Sequence, residues 1–380
     1  MDWAKWPEYG PNHISAVERV IRSGQLFAAH EVKAFEEAYA RYLGVRFVRG
    51  VGNATQGLHL ALAAANIGIG DEVIVSCFSW ISTASAVLMQ NAVPIFCDIN
   101  ATDLGISIED VKRKTTGRTK AVVVTHMLGF QADIEALARL CRERGLVLIE
   151  DASHAHGGSL FGKRLGTYGD MAVFSLHQRK TLSAGDGGIV CTDDPNFAEA
   201  VYLLRSFGHD ELSYNYRMSE FTAALGMVGL ETIAVETSER RENFEIAKQA
   251  FQELRNLEIL SPRDVYGASH YAIALKVEER VMLSDVDLFL NRAISLGVPI
   301  RKTWSPLNRH PHFNPLSPPA RGIPWKFSTY QGERNRCYAD EYLPIASKIL
   351  PDRILEVYAH PGTTREAIRE LGRLAKDVLG

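Results

Sequence analysis

Between Phe47 and His154 the chain alternates short apolar runs with stretches of helical periodicity, and this alternation restricts the fold more than any other feature. The apolar runs are Phe47-Val-Arg-Gly-Val51, the strand that follows Gly70 up to Ser76, Pro94–Ile99, Thr119–Met127 and Leu146–His154. Helical patterns lie between them. They cover Gln56–Ala65, a segment opening at Cys77–Thr83 and running to Asn91, a turn and short helix over Leu104–Lys114, and Ile134–Arg144 closed by Gly145. Strands alternating with helices predict an α/β fold whose mainly parallel sheet lies between helices. Ligands of such sheets sit beyond the carboxyl ends of the strands. That rule puts Asp151 and His154, the polar residues closing one apolar run, at the mouth of a site. The turn Gly52-Asn-Ala-Thr55 leads from a strand into a helix, where free N–H groups and the helix dipole favour an anion. From these residues alone a plain N-cap by Asn53 or Thr55 is the favoured reading.

Two further apolar runs, Met171–Phe174 and Ile189–Cys191, read as buried strands. They enclose Ser175-Leu-His-Gln-Arg-Lys-Thr-Leu-Ser-Ala-Gly-Asp-Gly-Gly188, with one lysine, Lys180, before a glycine-rich turn. A lysine held between apolar strands is costly unless it is solvated, paired or used covalently. Desolvation also lowers its pKa and favours the neutral amine that Schiff-base chemistry needs. Gly185, Gly187 and Gly188 allow backbone to pass close to a bulky group. The bland reading is an exposed lysine in a loop beside a hairpin.

Ser175-x-x-x-x-Lys180 followed by Gly185-Asp-Gly-Gly188 resembles the cofactor-lysine segment of the DegT/StrS family of sugar and cyclitol aminotransferases. The resemblance extends over nearly the whole chain, with the motifs in the family's order. It implies the fold-type I aminotransferase architecture and pyridoxal 5'-phosphate (PLP) as cofactor. Lys180 would carry the cofactor as a Schiff base and move protons in catalysis, and Ser175 would bind the phosphate together with Ala54 and Thr55. In Cys77-Phe-Ser-Trp-Ile-Ser-Thr83, Trp80 matches the aromatic that stacks on the pyridine ring, while Ser76 replaces the family's usual proline. In Glu150-Asp-Ala-Ser-His154, Asp151 would pair with the ring nitrogen and His154 would lie by the ring hydroxyl. In Asn215-Tyr-Arg-Met218, Asn215 would reach the phosphate of a partner subunit, with Arg217 as helper or substrate contact. Phe27 and His310 stand on the family's substrate side. His312 and His156 read as ordinary loop and core histidines. A homodimer with shared sites is implied.

The run His177-Gln-Arg-Lys180 is nearer the cyclitol type, which uses glutamine, than the nucleotide-sugar type. The expected reaction is amination of a keto-cyclitol or keto-sugar with glutamine or glutamate as donor. A nucleotide-keto-sugar aminotransferase, an aminohydroxybenzoate-type synthase and a non-catalytic PLP-binding regulator are the alternatives. A dehydratase of this fold would carry histidine in place of Lys180.

With 380 residues the chain can bury a large core and divide in two. We expect a PLP-binding unit over 1–240, including the N-terminal arm, and a smaller α+β unit over 241–380. In the latter, strands are expected at Tyr271–Val277 and Val298–Trp304. Helices are expected near Ser284–Leu296, at Arg334–Ser347 and at Thr363–Leu379, the last opened by a Thr363-x-x-Glu366 capping box. A net charge of −3 gives no basis for binding nucleic acid or anionic membranes. The scattered cysteines 77, 97, 141, 191 and 337 read as reduced thiols of a cytoplasmic protein. No apolar run has membrane-spanning length. His154-x-His156 has no third ligand in reach, so no metal site is expected.

Overall fold

The computed structural model describes residues 1–27, 29–208, 212–313, 323–332 and 338–380. The first part of the chain runs α1 (Pro11–Ser23), α2 (His30–Leu43), β1 (Phe47–Val51), α3 (Ala54–Ala64), β2 (Glu72–Ser76), α4 (Ile81–Met89), β3 (Val93–Cys97) and α5 (Ile108–Lys114). It continues through β4 (Thr119–Thr125), α6 (Ile134–Arg144), β5 (Val147–Asp151), the hairpin β6 (Ser159–Leu160) and β7 (Lys163–Arg164), β8 (Met171–Ser175), β9 (Gly188–Thr192) and α7 (Pro195–Arg205). The long helix α8 (Glu220–Phe251) leads to β10 (Leu257–Ile259), β11 (Ile273–Val277), α9 (Leu283–Ser295) and β12 (Ile300–Lys302). After these come α10 (Ile323–Lys326), α11 (Pro344–Ile349), β13 (Ile354–Val357) and α12 (Arg365–Leu379).

Seven strands form the large sheet in the order β1-β9-β8-β5-β4-β2-β3. Only β9 runs against its neighbours, pairing antiparallel with β1 and β8. The others pair in parallel as expected, so β1, β2, β4, β5 and β8 all end at one edge. Successive side chains of a strand point to opposite faces, and each face here has its own core. Val73, Val75, Val123, Ile149 and Val173 pack on one side. Ile74, Val122, Val124, Leu148 and Phe174 pack on the other. Burial on both faces is why these strands read as unbroken apolar runs.

Gly24, Gly44 and Gly145, each at positive φ, follow directly on α1, α2 and α6 and end them. Ser76 accepts the Phe78 N–H at 3.3 Å, so a serine turn stands where the resemblance would have proline.

The second sheet is antiparallel, β10-β11-β13-β12, with a separate core that includes Phe244, Leu275, Phe289, Leu355 and Leu371. Residue 240 falls inside α8, which runs unbroken for 32 residues. Met1 and Trp3 pack on this second core, so the start of the chain lies against its end.

Two local expectations fail for identifiable reasons. No single helix covers 334–347. Residues 334–337 lie outside the described residues, and the remainder is a tight turn at Asp340–Tyr342 followed by α11. Pro344 lacks the N–H to continue a helix and forces Leu343 out of helical geometry (φ −134°, ψ 55°). The cap of α12 is Thr364, whose hydroxyl accepts the Ala367 N–H at 3.2 Å, not Thr363. The β6–β7 hairpin and β10 escaped notice because two- and three-residue strands carry too little periodicity. Cys77, Cys97, Cys141 and Cys191 are buried free thiols, and Cys337 lies outside the described residues. No described helix is long and apolar enough to cross a membrane.

Candidate active site

A cavity of about 420 Å³ opens beyond the carboxyl ends of β4, β5 and β8, beside the start of α3. Thr125, Asp151 and Ser175, the last residues of those strands, line it. Tyr271, Arg301, Trp304 and Tyr358 close it from the second sheet.

Lys180 sits on the turn between β8 and β9, half-buried and lining the cavity. Among the described residues no hydrogen bond or ion pair to its amine is recorded. Its Nζ lies 5.3 Å from the centroid of the Tyr271 ring. Burial pulls this amine down from 10.5 to about 8; Arg301 acts in the same direction, while Asp151 and Glu356 partly oppose. A substantial neutral fraction at mildly alkaline pH follows, as nucleophilic use of the amine requires.

The turn is seated by one close approach. Gly188 pairs with Ser175, and a Cβ on it would lie 2.6 Å from the Asn53 carbonyl carbon and 2.7 Å from the Ala54 nitrogen. Only glycine lets the start of α3 press on β9 here. Asn53 caps α3 by accepting the Gln56 N–H at 2.9 Å. The Ala54 and Thr55 amides have no earlier helical carbonyl to satisfy them, and both residues line the cavity. Thr55 Oγ1 lies 2.7 Å from Ser82 Oγ. Ser175 Oγ accepts the His177 N–H at 3.2 Å, which leaves its proton free to donate. His156 stands behind Ser175. Its Nε2 donates to the Ser175 carbonyl at 2.8 Å, and its Nδ1 lies 2.9 Å from the Tyr39 hydroxyl, so it is a satisfied core histidine. Capping and anion binding, alternatives in the sequence, are therefore compatible: Asn53 does the first and leaves its neighbours for the second.

Asp151 is buried, and Thr83 Oγ1 donates to its Oδ2 at 2.8 Å. Its Oδ1 accepts the Ser153 N–H at 3.2 Å. His154 is stacked flat on Tyr271, centroids 4.0 Å apart at 5°. Its Nδ1 accepts the Leu128 N–H at 3.3 Å, so the neutral ring carries its proton on Nε2. Burial holds its pKa well below the ordinary value, and the cations Lys180 and Arg301 add to this. Gly129 makes the stacking possible. A Cβ there would meet Ser269 Oγ at 2.2 Å and Tyr271 N at 2.9 Å, blocking the segment that brings Tyr271 in. Trp80 is 51% exposed, so one large aromatic face is available to a flat ligand; its nearest ring is Trp304, edge-on at 5.6 Å.

Across the cavity Arg301 and Glu356 are cross-strand partners on β12 and β13. Arg301 donates from Nε and Nη2 to Glu356 Oε2 at 2.9 and 2.7 Å. Thr303 donates to Glu356 Oε1, and Tyr358 to Oε2 at 2.5 Å. The guanidinium lies over Trp304, 3.8 Å from its centroid. Both oxygens of this buried carboxylate accept hydrogen bonds, three of them on Oε2, which offsets its desolvation.

Of the residues singled out in the sequence, Ala54, Thr55, Trp80, Asp151, His154, Ser175 and Lys180 line this one cavity. Phe27, Asn215, Arg217 and His310 do not. Arg217 donates to Asn215 Oδ1 from Nε and Nη2, at 3.1 and 2.7 Å. Its guanidinium lies over Phe207 and Phe27, at 3.3 and 5.3 Å from the centroids. His310 sits in a turn, with its ring 4.6 Å from His312 and 5.7 Å from Phe313. Tyr271, Trp304 and Tyr358 went unnoticed because nothing local marks them. Thr83 was within reach, as the last residue of the Trp80-x-x-Thr83 motif. No group of three or more His, Cys, Asp or Glu among the described residues could hold a metal ion.

Residues 7–324 match the model of the DegT/DnrJ/EryC1/StrS aminotransferase family. An L-glutamine:2-deoxy-scyllo-inosose aminotransferase of Streptomyces lividus is 33% identical over 343 residues, 83% of this chain and 81% of that protein. A GDP-perosamine synthase of Vibrio cholerae is 36% identical over 247 residues, 63% of this chain and 66% of its own length. The solved aminotransferase TlmJ from Streptoalloteichus hindustanus has a TM-score of 0.86 at 28% identity, covering 100% of this chain and 99% of that one. The chain belongs to the DegT/DnrJ/EryC1/StrS family and is an aminotransferase.

Proposed function

We propose that the cavity binds PLP, that Lys180 holds it covalently, and that the enzyme carries an amino group from glutamine or glutamate to a keto-cyclitol or keto-sugar. The observation behind this reading is the convergence of Lys180, Asp151, Trp80, Thr55 and Ser175, from four separate segments, on one cavity. The residues fit the group. The start of α3, with the Ser175 hydroxyl, suits a phosphate, and the Gly188 contact holds that corner. Asp151 suits a protonated ring nitrogen, and His154 Nε2 suits the ring hydroxyl. Trp80 offers its face. PLP supplies the electron sink for breaking a bond to hydrogen at the donor's α-carbon. Lys180 Nζ, an amine lowered to about 8, would be the base that takes that proton and returns it. Asp151, fixed by Thr83, keeps the opposite end of the site anionic.

Glutamine as donor and a cyclitol as acceptor are supported by the His177-Gln-Arg-Lys180 run and by the Streptomyces relative. Mixing the PLP-loaded protein with single amino acids and following the cofactor's absorbance tests this. Glutamine should discharge the cofactor-lysine band, with glutamate as the alternative. A protein that holds PLP yet is discharged by no amino acid would be a binding protein, and the reading would fail.

We also infer that the active unit is a homodimer, with Asn215 and Arg217 serving the cavity of a second copy. Asn215 is exposed, has φ +60°, and lies outside its own cavity next to the exposed Phe27 and Phe207. A phosphate dianion facing only neutral donors would gain from a cation brought by a neighbour. Mixing inactive Lys180→Ala chains with inactive Asn215→Asp chains under exchange should restore up to about half of the sites in each hybrid. Proven exchange without recovery would place Asn215 in its own chain's chemistry.

A further inference from the structure

We propose that Trp6 and Tyr9, on the N-terminal arm, are positioning residues for Lys180. This rests on the reading of Lys180 as the reactive amine. The turn carrying Lys180 is bridged by Leu176 N–H to the Gly187 carbonyl at 2.9 Å, Gln178 N–H to the Gly185 carbonyl at 2.8 Å and Ala184 N–H to the Leu176 carbonyl at 2.9 Å, bonds that do not involve Lys180 itself. Lys180 N–H is bonded to the His177 carbonyl at 2.8 Å, which is a contact within the turn. The Lys180 carbonyl is bonded from outside: Trp6 Nε1–H donates to it at 3.0 Å. Three residues on, Ser183 Oγ lies 2.8 Å from the Tyr9 hydroxyl. Both ends of Lys180–Ser183 are thus tied to a segment more than 170 positions earlier.

The arm is itself anchored. Asp2 O accepts from Thr364 N and Oγ1 at 3.5 and 3.4 Å, where α12 begins. The Met1 amine donates to the Leu296 carbonyl at 3.3 Å, and Met1 and Trp3 pack on the core of the second sheet. The Trp6 ring stacks on His360, centroids 5.6 Å apart at 15°, and the Arg240 guanidinium lies 4.7 Å from a Trp6 ring centroid. Arg240 is only 2% exposed. Its Nη1 lies 3.3 Å from His360 Nδ1, and its Nε has no hydrogen-bond partner among the described residues. Burial lowers it to about 10, so it remains a cation at neutral pH and needs the electron-rich indole face. One side chain therefore does two things. The face of Trp6 shields a buried arginine, and its edge holds the Lys180 backbone. The arm connects the second sheet directly to the turn that aims the amine.

The face and edge can be separated. Trp6→Phe keeps a ring over Arg240 and His360 but loses the N–H donor. Tyr9→Phe loses only a hydroxyl at an exposed position. Two readouts on the full-length chain, neither needing turnover, test the proposal. In the double variant, deuterium uptake at residues 177–184 should rise about ten-fold while uptake across α6 stays unchanged. Trace labelling of amines in chain stripped of carbonyl compounds with hydroxylamine, followed by peptide mass mapping across pH, gives the Lys180 midpoint. A loosened turn lets water reach the amine, so the midpoint should move from about 8 toward 10.5 by about half a pH unit or more. Asp151, Arg301 and Glu356, the charges that face the amine, are untouched by either substitution. Unchanged uptake at 177–184 together with an unmoved midpoint would make the arm passive packing. Uptake raised equally in α6 would show general loosening. Either result overturns the proposal. Neither readout depends on PLP capture, so failure here is distinct from failure of the functional reading.

Discussion

Replacing Lys180 by alanine is expected to lower turnover by about ten-thousand-fold or more, because in the proposed function one amine would serve as both covalent anchor and proton carrier. Stability should barely change. The amine has no recorded hydrogen bond or ion pair among the described residues, and burial disfavours its charged form. Removing it deletes a desolvation cost, set against one weak contact with the Tyr271 ring at 5.3 Å. A melting temperature within a few degrees of wild type, measured beside the activity, separates a chemical loss from unfolding. A small primary amine such as methylamine should restore part of the rate, since the missing function is a free amine in the cavity. Full activity in this variant would remove Lys180 from the chemistry.

Asp151→Asn is the second large effect. The carboxylate is buried and held by Thr83 and the Ser153 N–H, so the amide can occupy the same volume. The amide can keep both contacts: its oxygen accepts the Ser153 N–H, and its NH2 donates to the Thr83 hydroxyl, which turns its own proton toward Ser79. PLP should still bind, through the phosphate corner and the Trp80 face. Both halves of the amino transfer should slow by about a hundred-fold or more, because in the proposed function the ring nitrogen would lose its anionic partner. The sign of the pH effect is fixed as well. Asp151 raises the Lys180 pKa, so its neutralisation should lower the amine midpoint below about 8. Near-normal turnover with an unmoved midpoint would reduce Asp151 to a structural acceptor.

The part of the molecule most open to sequence reading was the parallel core. Strands buried on both faces are continuous apolar runs, and Asp151, Ser175 and Thr55 stand where those runs or the turn after β1 end. Backbone direction alone delivers these residues to one edge. What sequence reasoning could not reach depends on contacts between distant segments. Tyr271 enters the cavity only because Gly129 leaves room for the chain beside it, and nothing around Tyr271 records that. Arg301 and Glu356 meet through the register of two short strands 55 positions apart. Trp6 bears on the site only through its N–H on the Lys180 carbonyl, 174 positions away. The failed helix at 334–347 belongs to another class: Pro344 was visible, and its veto on the preceding turn was not applied.

The central claim is that Lys180 is the covalent anchor for the cofactor, and borohydride reduction tests it most directly. Wild-type protein is loaded with PLP, reduced, digested and mapped by mass. The account predicts one stoichiometric label on the peptide containing Lys180, absent from Lys180→Ala. A label on any other lysine, or none on a protein that still carries out amino transfer, would contradict it.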